Sequence, residues 1–279
     1  MTALLLILLA CSSEPEPTPV TAAPMALPLD NVRAAGEVVT STYVLFAPGP
    51  QDHLVPLACF DTASLNFGRG GTCMDYMGPE PELQLEDRRM VKLQKAGSLE
   101  CPSTGAITSA MKSSSPLGSG VAFGIWPSLE AAKWTPRSED SPKPEQNRPL
   151  LEAAQRKLIE DGLSKANAQR VELLASLTID LEGDGREDTV VEALVRDPAS
   201  GEVTHSALFV GGMRPMLLTA PNLELFGHTQ VLGATQTTSE GATLLLLESR
   251  SATELGWSVV QRTDQGFVAR GSWTCDNPA

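Results

Sequence analysis

Val171-Glu172-Leu173-Leu174-Ala175-Ser176-Leu177-Thr178-Ile179, then Asp180-Leu181-Glu182-Gly183-Asp184-Gly185-Arg186-Glu187-Asp188, then Thr189-Val190-Val191-Glu192-Ala193-Leu194-Val195, is the stretch on which the reading of the fold turns. The outer segments are dominated by aliphatic and β-branched residues and run for strand lengths, so each reads as a β-strand. The nine residues between them carry carboxylates at the first, third, fifth and ninth positions and glycines at the fourth and sixth. Carboxylates at this spacing can converge on one hard cation, the glycines permit a sharp turn, and the seventh residue contributes its carbonyl oxygen. Without a cation the acidic side chains repel one another. Asp180, Glu182, Asp184, Arg186 and Asp188 are therefore the expected calcium ligands. Val191 stands at the twelfth position, where a bidentate glutamate would strengthen the site. Affinity is accordingly expected in the extracellular range of about 0.1 to 1 mM.

A strand, an acidic glycine-rich loop of this pattern and a second strand resemble the repeats of integrin-like FG-GAP and VCBS proteins, with Glu182 as the one acidic substitution. The resemblance implies calcium binding and a β-unit that often serves as a propeller blade in adhesion or ligand binding. The loop is EF-hand-like in its ligands but has strands where an EF-hand has two helices. A second copy is read further on. Val231-Leu232-Gly233-Ala234 corresponds to Leu173-Leu174-Ala175-Ser176, Glu240-Gly241 to Glu182-Gly183, and Thr243-Leu244-Leu245 to Thr189-Val190-Val191. That copy lacks the acidic ligands. Two units are too few to close a propeller, so an open sheet or sandwich with partial repeat character is expected.

On the N-terminal side of this stretch, apolar Leu150, Leu151, Ala154, Leu158, Ile159 and Leu163 fall at helical spacing behind Pro149, which predicts one long helix over about 149–167. Further strands are expected at 205–210 and 257–262. Nearer the start of the chain, the β-branched and aromatic run at 38–46 stops at Pro48-Gly49-Pro50, and shorter strands are read at 54–60, 83–85, 90–93 and 121–126. The stretch 103–120 is rich in Ser, Thr and Gly and reads as loop. Residues 127–134 open with a helix-capping pattern, and 135–148, with three prolines and mixed charges, read as a linker. The expected fold class is thus α+β, mostly antiparallel sheet with one long helix. It is divided into a mostly β region at 36–134 and a helix-plus-repeat region at 149–279.

The chain's first residues point to its compartment. Residues 2–11 are an apolar run ending in Cys11, about half the length a spanning helix needs. Leu8-Leu9-Ala10-Cys11 resembles the lipobox of bacterial lipoproteins, which implies a cleaved signal at 1–10 and a lipid anchor on Cys11. Ser12 after it, rather than aspartate, implies outer-membrane sorting. Residues 11–35 are proline-rich and read as an extended tether at about 3.1 Å per residue. Removing Cys11 leaves Cys59, Cys73, Cys101 and Cys275, the even number expected of an exported disulfide-bonded domain. Of three possible pairings, the turn-rich 66–71 segment favours Cys59 with Cys73, leaving Cys101 with Cys275. Zinc is not expected, because no cysteine pair has ligand spacing and His53, His205 and His228 are scattered.

A net charge of -13 over 279 residues repels phosphate, and no basic cluster with interleaved aromatics offsets it, so nucleic acid is not an expected partner. The signatures of nucleophile elbows, zinc helices, phosphate loops and dinucleotide sites are missing. Ser109-Ala110-Met111-Lys112 fits the Ser-x-x-Lys pattern formally, without the later Lys-Thr-Gly element. No catalytic residue is assigned. The expected protein is a non-enzymatic, calcium-stabilised binding or interaction module of the cell envelope, with a protein or glycan ligand for which Trp126, Trp134, Trp257 and Trp273 are candidate contacts. The alternative is an envelope hydrolase with dispersed residues.

Overall fold

A computed structural model describes residues 42–61, 66–102, 105, 107–138, 147–211, 215–220, 223–236 and 243–276. Cys11, the tether and residues 237–242 of the second repeat lie outside the described residues. Seven strands come first: β1 (Thr42–Gly49), β2 (His53–Asp61), β3 (Asn66–Arg69), β4 (Glu82–Leu85), β5 (Met90–Glu100), β6 (Ile107–Ser113) and β7 (Gly124–Trp126). All pair antiparallel in the order β1-β7-β4-β5-β6-β2, and β2 returns to β1, so six strands close into a barrel with β3 attached to β2. Alternation along β1 explains its composition. Val44 and Phe46 point into the barrel among Leu54, Leu83, Leu93 and Met111, while Tyr43, Leu45 and Ala47 point outward yet are also buried.

The C-terminal half of the chain covers that outward face. After β8 (Trp134–Pro136) come α1 (Arg148–Glu160) and α2 (Lys165–Ala168). Two antiparallel meanders complete the chain. The first is β9 (Glu172–Ile179), β10 (Asp188–Arg196), β11 (Val203–Val210) and β12 (Met216–Leu217). The second is β13 (His228–Gln236), β14 (Thr243–Arg250), β15 (Glu254–Thr263) and β16 (Gly266–Asp276), with β8 on its β13 edge. Leu244, Leu246, Trp257, Val259 and Trp273 of the second meander pack against the outside of the barrel. Val231, Leu245, Leu247 and Val260 on its other face meet Leu177, Val190, Leu208 and Val210 of the first. Leu150, Ala154 and Leu158 of α1 close the far side on Leu173, Val191 and Phe209. Barrel, sheet, sheet and helix are therefore stacked layers, and the uninterrupted Leu244-Leu245-Leu246-Leu247 belongs to a strand buried on both faces.

The fold corrects the expected α+β class with one long helix: antiparallel β dominates, a barrel closes, and the helices are short. The expected helix over 149–167 ends at Glu160. Gly162 takes φ 104°, its N–H bonds the Ile159 carbonyl, and the Leu163 N–H bonds that of Leu158, a Schellman ending that buries Leu158 against Leu163. Ser164 then caps the separate α2 by accepting from the Asn167 N–H at 3.2 Å. Three other expectations change. Residues 107–113, read as loop, are strand β6, and 127–134, read as a helix, form turns that lead into β8 at Trp134, with Ser128 Oγ accepting from the Ala131 N–H. Thr135 and Pro136, read as linker, pair with Ala234 and Gly233 in β8.

Candidate functional site

The acidic loop joins β9 to β10 at one end of the first meander, where Thr243 Oγ1 of the second donates to the Asp180 carbonyl at 2.8 Å. Asp180 organises it: one carboxylate oxygen accepts from the N–H groups of Gly183 (2.6 Å) and Asp184 (3.2 Å), and the other from Gly185 (2.8 Å). Gly183 and Gly185 take φ 72° and 81°, which the turn requires and glycine permits. Asp184 accepts from the Arg186 N–H at 2.9 Å, and Asp188 from the Leu181 N–H at 3.2 Å. Burial pushes the Asp188 carboxyl above its usual range; the Leu181 N–H opposes this, while the charges of Glu182, Asp180 and Asp184 add to it. The donor types therefore fit a hard cation. The geometry fits less well. Glu182 is turned to Arg262 at 3.0 Å, whose guanidinium lies over the Phe267 ring, and among the described residues no three such side chains converge as a metal site.

The cysteine sulfurs lie within bonding distance in two pairs, Cys59 with Cys73 at 2.25 Å and Cys101 with Cys275 at 2.00 Å. The first fastens β2 to the short helix at Gly70–Tyr76; the second fastens the end of β5 to β16, and so the barrel to the second meander. Ser109 and Lys112 sit three apart on β6, on opposite faces of the strand, so the Ser-x-x-Lys pattern makes no site.

The structure brings together a cleft that no local pattern announces. It is about 1040 Å³ in volume and lies between the barrel, residues 120–137, and the open end of the β13–β14 hairpin. The hairpin register sets His228 opposite Arg250 and Gln230 opposite Glu248. Arg137 Nη1 donates to Gln230, Gln230 Nε2 donates to the buried Glu248 carboxylate at 3.1 Å, and Arg250 pairs with Glu248 at 3.3 Å. Nε2 of His228 bonds Glu192, a buried carboxylate reaching across from β10. On the barrel side Glu86 accepts from the Ala122 N–H at 2.7 Å. Burial pushes its carboxyl up; the Ala122 bond and Arg137 counter this, whereas Asp87 and Glu248 reinforce it. One wall is aromatic: Trp134, partly exposed, rests against Phe123 with ring centroids 4.5 Å apart.

A second cavity of about 530 Å³ shares Gly120, Ala122, Glu248 and Arg250 with the first. Trp257 and Trp273 line it, stacked at 5.4 Å with an interplanar angle of 14°. Of the four tryptophans singled out from the sequence, Trp134 alone lines the larger cleft. No family model matches the chain, and neither does any curated protein or any solved structure. The signals that could have marked the cleft are Glu248, at the end of the aliphatic run of β14, and Glu192, within apolar β10, which holds the cleft-lining His228.

Proposed function

We propose that the protein is a lipid-anchored binding module of the bacterial cell envelope, too acidic to favour nucleic acid and stiffened by calcium and two disulfides, with its ligand seated in the cleft between barrel and second meander. The cleft carries this reading. It is at the upper end of the size range of ligand sites, and it collects polar and charged groups beside an aromatic wall. The anchor rests on Leu8-Leu9-Ala10-Cys11, and the calcium contribution on Asp180, Asp184, the Arg186 carbonyl and Asp188, with Glu182 joining only by leaving Arg262. In-situ footprinting tests the cleft. Oxidative labelling of Trp134 is expected to fall in isolated envelopes relative to purified protein; equal labelling in both would overturn the assignment. Intact mass should show loss of residues 1–10 plus acyl mass, and a Cys11→Ser variant should leave the membrane fraction.

A hydrolase is the second reading, favoured by one observation. Glu86, whose carboxyl is pushed up by burial, and Glu248, paired with Arg250, line one cleft, as the two carboxyl groups of a hydrolase would. Turnover of envelope polymers lost in Glu86→Gln with binding intact would establish it; binding with no turnover by wild-type protein would dismiss it.

A further inference from the structure

The chemistry of the cleft narrows its ligand, an inference that rests on the binding reading. Its charged side chains balance. Arg88, Lys133, Arg137 and Arg250 stand against Glu86, Asp87, Glu130 and Glu248, in a chain whose net charge is -13. An ionic ligand would find no net field to hold it. The floor instead offers planar polar groups in series, the Arg137 guanidinium, the Gln230 amide and the Glu248 carboxylate, each locked by the next. Hydroxyl groups both donate and accept, so a polyhydroxylated ligand can satisfy guanidinium, amide and carboxylate at once. Trp134 adds a flat apolar surface held in place by Phe123 and by β8 pairing to β13, suited to the C–H face of a pyranose ring.

The backbone points to the same place. The non-glycine residues with positive φ among those described are Gln51 (56°), Asp52 (61°), Arg88 (69°) and Lys133 (49°). Arg88 and Lys133 line the larger cleft; Gln51 and Asp52 line the cavity that continues from it. Such strained conformations sit here in the turns at 50–52, 86–88 and 129–133, which border the two cavities. The shared boundary at Gly120, Ala122, Glu248 and Arg250 makes the two cavities neighbours along one path, longer than a single sugar ring requires.

We infer that the cleft binds an uncharged oligosaccharide, with Trp134 stacking on one ring and Arg137, Gln230 and Glu248 reading its hydroxyls. The test titrates the full chain by calorimetry with cellohexaose, chitohexaose and maltohexaose, and with hexaglycine and inorganic pyrophosphate as non-sugar probes. At least one hexasaccharide should bind. Trp134→Ala should weaken it at least about tenfold, Trp134→Phe should retain most of it, and Arg137→Met, which keeps the aliphatic stem, should weaken it while circular dichroism shows the variant folded. Binding of hexaglycine or pyrophosphate in place of all three sugars would overturn the ligand class and leave the cleft as a binding site. Absence of sugar binding together with Trp134 protection in envelopes would do the same. Sugar binding unaffected by both Trp134→Ala and Arg137→Met would overturn the site.

Discussion

The two meanders share a strand order and differ in what lies against them. The first is covered on one face by α1 and on the other by the second meander, and its β9–β10 loop leaves Asp184, Arg186 and Glu187 exposed. The second is pressed between barrel and first meander, and Cys275 joins it to Cys101 at the barrel's edge. Close approach shapes Gly233 and Gly271. A Cβ on Gly271 would lie 2.0 Å from the Leu57 carbonyl oxygen of the barrel, and one on Gly233 would lie 2.3 Å from the Trp134 ring. In the first meander Gly201 is needed for its φ of 75° while its side-chain direction is open. Charge is thus gathered in the exposed β9–β10 loop, whereas Gly233 and Gly271 are held small by the layers that approach them.

The largest expected effect breaks the tie that only the second meander has. Cys101→Ala with Cys275→Ala opens a connection spanning 174 residues and should cost about 5 kcal/mol in the chain-entropy account, against about 3 kcal/mol for Cys59→Ala with Cys73→Ala across 14 residues. Denaturant titration of the oxidised proteins measures both, and equal losses would show that residual structure in the unfolded chain outweighs loop length. Next, Gly271→Ala should cost about 3 kcal/mol by overpacking, whereas Gly201→Ala should cost about 1 kcal/mol by backbone strain alone. Matching losses would remove the contrast between a pressed and an open meander.

Smaller effects belong to the first meander. Calcium at about ten times its dissociation constant should add roughly 1.4 kcal/mol, and Asp184→Ala should abolish that gain. Identical melting in millimolar calcium and in chelator would mean that the Asp180 hydrogen bonds alone hold the loop. The smallest effect is a pH dependence. The Asp188 pKa is raised in the folded state, so its contribution is full below the unfolded value of 3.8 and is lost as pH rises through the folded value. In chelator, Asp188→Asn should flatten this decline, leaving the variant within about 0.5 kcal/mol of wild type or slightly above it at neutral pH. Calcium should reverse the wild-type slope, because it binds the ionised carboxylates. Parallel pH curves for variant and wild type would detach Asp188 from the loop's electrostatics.

Several features were legible from residues alone because their causes are local. Apolar runs of strand length marked β2, β10 and β15, and the acidic spacing marked a glycine turn now seen organised by Asp180, whereas the helix stop at Gly162 was hidden by apolar periodicity that runs past it. The sulfurs of Cys59 and Cys73 meet because β3 (Asn66–Arg69) pairs back on β2 and the short helix at Gly70–Tyr76 follows it, where the sequence suggests a turn over 66–71. Other features depend on contacts between distant segments and emerged only with the folded chain. Barrel closure rests on Val44 opposite Trp126 and Leu45 opposite Ile125, and β6 took strand form from pairing with β5 despite its Ser- and Thr-rich sequence. The cleft draws its walls from residues 84–137 and 228–250, so no window of sequence contains it. Periodicity records which side of a strand is apolar, whereas the layer that covers it is chosen by long-range burial, and a site formed where layers meet inherits that choice.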